Sequence, residues 1–205
     1  MPSIDDLRAA ITSAPMAAVL IVVNLAVYVA VTIDSRLKEV LELPPDWSGL
    51  LAQPWTALTV FFTAGALIHI AGAVFIIGLF GARFERIAGS VHMLGVYLLA
   101  GLSGSLALVA TAMATGFDEP SRGASAAFFG LMAALAACSR EAWGPKLHVE
   151  KVVAVVVLTQ LAPLVGIGDW VSSAAHLAGM GVGAAYGYLL RRTITHRQQP
   201  EETHR

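Results

Sequence analysis

Charge is nearly absent from six stretches of this 205-residue chain, about residues 16–33, 57–81, 90–114, 123–139, 151–166 and 170–190. Crossing a bilayer's hydrocarbon core takes about 20 consecutive apolar residues in a helix. The pattern therefore predicts an all-α polytopic membrane protein, a bundle of six membrane-spanning helices. The fourth and fifth stretches are short for a full crossing and are expected to be helices surrounded partly by their neighbours. The first follows an amino-terminal region with one arginine, Arg8, and no clear small-residue cleavage site, so it is expected to be a retained span.

The same pattern divides the chain into a segment 1–15, a six-span domain 16–192 and a polar tail 193–205. The long connection 34–56 contains LPPDW together with Trp47, Leu50, Leu51 and Trp55. It reads as a partly helical segment in the outer membrane interface, where tryptophan is enriched. With six spans both termini share a side, and ten of the 13 Lys and Arg residues fall on it. The other side holds Arg36, Lys38 and Arg122, and this imbalance predicts cytoplasmic termini in a cell membrane.

Composition agrees with a lipid environment. Apolar residues make up 57% of the chain and charged ones 13%, with mean hydropathy +0.71, against roughly 25% charge in a soluble domain. Nineteen glycines suit membrane helices. A net charge of −1 gives no reason to expect a nucleic-acid partner. Cys138 is the single cysteine, forms no internal disulfide, and is read as a buried thiol.

Against this background the polar residues inside the spans stand out, because polar and ionisable groups at membrane depth are costly and usually functional. They are His69, Ser125 and His176, with Asn24 and Gln160 as expected interhelical hydrogen-bonders. The second, fourth and sixth spans run in one direction, and each carries its polar residue in its first half. His69, Ser125 and His176 are therefore expected at similar depth, toward the outer leaflet. Taken singly each has a plainer reading. Serine in a Gly-Ala-Ser run lets helices approach closely, and a histidine can bond a backbone carbonyl.

Together they make a coherent chemistry. A serine hydroxyl becomes a nucleophile beside a general base, and neutral imidazole suits that role. Ser125 lies at a helix amino terminus behind Gly123, where first-turn N–H groups and the helix dipole favour an oxyanion. Gly123 lets the chain approach a bound carbonyl, and His69 is a candidate second donor. No acidic residue lies in the outer half of these spans, so a Ser–His dyad is expected rather than a triad. No metal-ligand cluster such as H-E-x-x-H occurs, and no cofactor is expected.

Four blocks carry a resemblance. HIAGAVFIIGLFGARFERIAG, His69–Gly89, ends in a G-x-x-x-E-x-x-x-G match with Glu85 in place. GAS, Gly123–Ser125, is followed by Phe129. AHLAGMGVGAAYG, Ala175–Gly187, fits A-H-x-x-G-x-x-x-G, and QPWTALTVFF is a degenerate W-R stretch with Thr56 at the arginine position. In order and spacing they resemble the rhomboid intramembrane serine proteases across about residues 16 to 190. The resemblance implies a bacterial six-span rhomboid-like bundle with Ser125 as nucleophile and His176 as base. His69 and the Ser125 N–H would be oxyanion donors, with Phe129 packed against the histidine. Gly179, Gly183 and Gly187 would let the sixth helix press on the fourth. Substrates would be single-pass membrane proteins, cut near the outer leaflet.

Two positions depart from that family: Ala73 replaces an asparagine, and Ala126 a glycine. Losing one oxyanion donor costs roughly 10²–10³ in rate. The alternatives are a catalytically weak or inactive rhomboid-like protein that binds membrane helices, and a small transporter using His69 and His176 as a proton relay.

Overall fold

The computed structural model describes residues 12–138 and 149–197. The amino-terminal charge Arg8, the residues Arg140 and Lys146, and the end of the tail with Arg205 lie outside the described residues. Nearly all the described secondary structure is helical. Helix α1 is Pro15–Ile33, followed by three short helices, α2 Leu37–Leu41, α3 Trp47–Ala52 and α4 Thr56–Thr59. Helix α5 is Leu67–Ala88, with a π-helical turn at Ile77–Gly81. Helices α6 Ser90–Thr115, α7 Ser125–Cys138, α8 Val149–Thr159 and α9 Trp170–Arg197 complete the bundle.

Three of these, α1, α5 and α6, are long and apolar enough to cross a membrane. Helix α7 has 14 residues, about 21 Å at 1.5 Å per residue, short of a core about 30 Å thick. It survives because protein surrounds it: Ala126, Ala127, Leu131, Met132, Ala134 and Leu135 are all buried, and its longest neighbours are α6 and α9. Cys138 is buried at its end.

The expected second span needs correction. The chain does not run as one helix from residue 57; α4 and a 3₁₀ turn at Val60–Phe62 end at Thr63, and α5 starts at Leu67. The Thr63 hydroxyl donates back to Val60 O (2.6 Å), and the backbone at Thr63 and Ala66 is extended. His69 thereby moves from the interior of a span into the first turn of one. The fifth stretch is likewise broken. Helix α8 stops at Thr159, Gln160 turns, and Ala162–Val165 is a 3₁₀ turn in which Pro163 withholds a donor from any continuing helix. Helix α9 runs on to Arg197, past the expected end of the membrane domain.

What joins the helices at the end opposite Ser125 is Glu85. Its side chain, 3% exposed, accepts from Met16 N and Ala17 N, both at 2.8 Å, and from the Ser90 hydroxyl at 2.6 Å. Pro15 opens α1 with no N–H to satisfy. The next two N–H groups point at a carboxylate from another helix, favourable at the positive end of the dipole. Gly89, at φ +92°, turns the chain from α5 into α6.

The inner packing is set by small residues. A Cβ built on Gly179, Gly183 or Gly187 of α9 would fall on the carbonyl oxygens of Ala126, Gly130 and Ala134 of α7 respectively. The three pairs rise together in fours, so α7 and α9 are parallel and in near backbone contact. Gly104 and Ala100 of α6 face Ala126 and Gly130, which makes α6 antiparallel to α7.

Candidate active site

The segment before α7 is held by the first connection. Leu43 and Ser121 exchange backbone hydrogen bonds (2.9 and 2.8 Å), and the Gly123 N–H donates to Val60 O at 3.3 Å. Arg122 pairs with Glu42 at 3.5 Å. Gly123 has φ +139°, a conformation that favours glycine. The chain thus turns sharply into α7 and presents Ser125 as its first residue. The next N–H groups have no acceptor within the helix.

Helix α9 begins behind Asp169, whose carboxylate accepts from Ser172 N at 2.6 Å, a capping interaction. His176 follows in its second turn, one turn before Gly179. Because Gly179 rests on Ala126, the register brings His176 level with Ser125: Nε2 lies 2.6 Å from Oγ. On the other ring nitrogen, Nδ1 lies 2.7 Å from Gln160 Oε1. The Phe129 ring meets the imidazole edge to face, with centroids 4.9 Å apart at 87°. A half-buried hydroxyl hydrogen-bonded to an imidazole is equipped for base-assisted nucleophilic attack.

Two cavities meet at this pair. One of about 360 Å³ is lined by Asn24, His69, Ala73, Gly123, Phe129 and others. The second, about 230 Å³, is walled by Gly101, Gly104, Ser105 and Glu119 and also reaches Ser125 and His176. Of the predicted residues, His176 touches both Ser125 and Phe129, and Gly123 adjoins Ser125. His69 is exposed and lines the larger cavity, but among the described residues it makes no hydrogen bond to Ser125. Ala73, one turn further along α5, presents only a methyl to the same wall. Asn24 does bond between helices, donating to Tyr97 Oη at 3.1 Å; Tyr97 in turn donates to Phe61 O at 2.8 Å.

Sequence reasoning identified Gln160 only as a hydrogen-bonder and left its partner open. Its signal was its place, a polar side chain at the end of the fifth apolar stretch nearest to Ser125 and His176.

The family model described as Rhomboid domain matches residues 51–193. RHOMBOID-like protein 6, mitochondrial, of Arabidopsis thaliana is 28% identical over 152 residues, 71% of this chain and 47% of that protein. The chain therefore spans about half the length of the curated relative it matches. Helix α1 lies outside the family match, which begins in α3.

Proposed function

This chain belongs to the rhomboid family, and on that premise we propose that it is an intramembrane serine endopeptidase cutting single-span membrane proteins. The observation that supports this best is the 2.6 Å contact between Ser125 Oγ and His176 Nε2 at the meeting of two cavities. In this reading the protein is a bacterial six-span type in the cell membrane. Both termini are cytoplasmic, the site is toward the outer leaflet, and the tryptophan-bearing connection 34–56 lies in the interface. A substrate helix unwinds there, since its carbonyls are otherwise held in hydrogen bonds.

The steps use this chain's own groups. His176 Nε2 takes the Ser125 proton as Oγ bonds to the substrate carbonyl carbon. The Ser125 N–H at the start of α7, and His69 from across the cavity, stabilise the resulting oxyanion. The C–N bond breaks as His176 returns the proton to the leaving amine. Water, deprotonated by His176, then bonds to the acyl carbon, and the bond to Ser125 Oγ breaks as His176 returns that proton to Oγ. The cavities on either side of the pair give room to substrate groups flanking the cut.

Reconstituted protein with a panel of single-span substrates tests the reading. Cleavage is expected with wild type and absent in Ser125→Ala and His176→Ala; cleavage persisting in either variant overturns the dyad. A serine-directed fluorophosphonate is expected to label wild type and not Ser125→Ala. Ala73, with no polar group where the family's asparagine stands, favours a second reading: a rhomboid-like protein that binds membrane helices without cutting them. Failure of several such probes to label wild type selects that one.

A further inference from the structure

Helix α8 leans on the bundle through one face. No residue from 151 to 159 is buried, Val153 and Val156 are half-buried, and Gln160, a turn beyond Val156, is only 7% exposed. A large polar side chain in that position must have its hydrogen bonds met, and its partners determine which way the amide lies. Gln160 Nε2 is 2.9 Å from Val156 O and 3.0 Å from Thr159 Oγ1. Val156 O can only accept. The Thr159 hydroxyl donates its own proton to Val156 O at 2.6 Å, which leaves it a lone pair to receive the amide. The NH₂ group is therefore on that side, and Oε1 faces His176 Nδ1 at 2.7 Å.

An amide oxygen has no proton to give. Nδ1 must then be the donor, so the neutral imidazole carries its proton on Nδ1 and leaves Nε2 bare, 2.6 Å from the Ser125 hydroxyl. From this chain of single-option bonds we infer that Gln160 is the positioning residue of the site: it fixes the His176 tautomer and ring orientation that leave Nε2 free to take the Ser125 proton. The inference rests on the reading of Ser125 and His176 as nucleophile and base. The third member is a neutral amide, which orients the imidazole as a carboxylate does in a triad without placing a charge at membrane depth. It also comes from the turn that ends α8, so the base is set only when α8 is seated against α7.

Two measurements on the full-length protein in detergent micelles test it. The first is ¹⁵N NMR of histidine-labelled protein, with the His176 signal identified by its loss in His176→Gln. Wild type is expected to show a protonated Nδ1 and a bare Nε2. Gln160→Met, similar in size but without the acceptor oxygen, is expected to shift population to the opposite tautomer. Gln160→Glu, which keeps an acceptor oxygen, is expected to restore it. An unchanged tautomer in Gln160→Met, or an Nε2-protonated wild type, overturns the inference, whatever the variant does to stability.

The second is the rate of Ser125 labelling by a fluorophosphonate. It is expected to fall about tenfold in Gln160→Met, the scale of one net hydrogen bond, and to recover in Gln160→Glu. Equal rates in wild type and Gln160→Met overturn the positioning role. A wild type that is not labelled at all sinks the protease reading alone, and the tautomer measurement still decides Gln160.

Discussion

Gly183 of α9 lies over Gly130 of α7 so closely that a Cβ at position 183 would fall on the Gly130 carbonyl oxygen. That relationship, repeated at Gly179 and Gly187, is how two helices of small residues hold a serine and a histidine at hydrogen-bond distance. Backbone cannot be moved aside as a flexible side chain can.

Gly183→Ala is accordingly expected to destabilise the protein by about 1–3 kcal/mol through overpacking and to lower activity by moving His176 off Ser125. Gly181 on the same helix is the internal control, since a Cβ there meets nothing within 4 Å. Gly181→Ala is expected to be neutral or slightly stabilising, because alanine favours a helix by up to about 1 kcal/mol over glycine. Thermal unfolding in micelles checks both, and equal effects at the two positions would sink the packing argument.

Glu85 gathers the starts of α1 and α6 on one carboxylate. Removing it in Glu85→Ala leaves two helix N–H groups and the Ser90 hydroxyl with no partner in a buried site. Hydrogen bonds to charged groups contribute about 1.5–3 kcal/mol each, so a loss of at least about 3 kcal/mol is expected. Glu85→Gln keeps one acceptor oxygen and should lose roughly half as much. The measurement is unfolding free energy in mixed micelles; a smaller loss in the alanine variant than in the glutamine one contradicts the assignment.

Helices α1, α6 and α7 were legible from charge alone, because they begin and end within a residue or two of their charge-free stretches. The start of α5 was not. Thr63, Ala64, Gly65 and Ala66 are small and uncharged, so nothing in the pattern separates a break from a continuing span. The break is made by a side-chain hydrogen bond from Thr63 to Val60 O. Ser125 and His176, with His69, are legible as a group from their equivalent heights on co-oriented stretches, whereas Phe129 enters only through the family resemblance. Gln160 is not legible, since its partner depends on where α8 docks, and polarity along a chain carries no docking angle. Glu85 was visible as a motif position, but its grip on α1 depends on a contact 68 or 69 positions away.

The cap of α3 gives a pH-dependent signature outside the spans. The Ser48 hydroxyl, then the Gly49 N–H, donate to the Asp46 carboxylate and hold it below its ordinary value of 3.8. A depressed carboxyl stabilises the fold fully above its unfolded value, and that contribution is lost as pH falls through the lower folded one. The cap is thus expected to persist through mildly acidic pH. Carbon-detected NMR titration of Asp46 should give a midpoint below 3.8, moving upward in Ser48→Ala. A midpoint unmoved by that substitution would contradict the assigned cause.

Ala73 offers a gain-of-function test of the proposed chemistry. Position 73 is 1% exposed and lines the cavity shared by His69, Ser125 and His176, one helical turn after His69. A donor there would face the place where charge develops on a substrate carbonyl, and it would strengthen only as that charge appears. Such interactions raise kcat with little effect on KM. Ala73→Asn is therefore expected to raise kcat by about tenfold, less than the roughly 10²–10³ that losing an evolved donor costs, because the cavity wall was shaped around a methyl. Cleavage of a single-span substrate under matched detergent conditions provides the readout. A changed KM with an unchanged kcat would mean that position 73 touches the substrate without serving the oxyanion, and His69 with the Ser125 N–H would then be left as the donors.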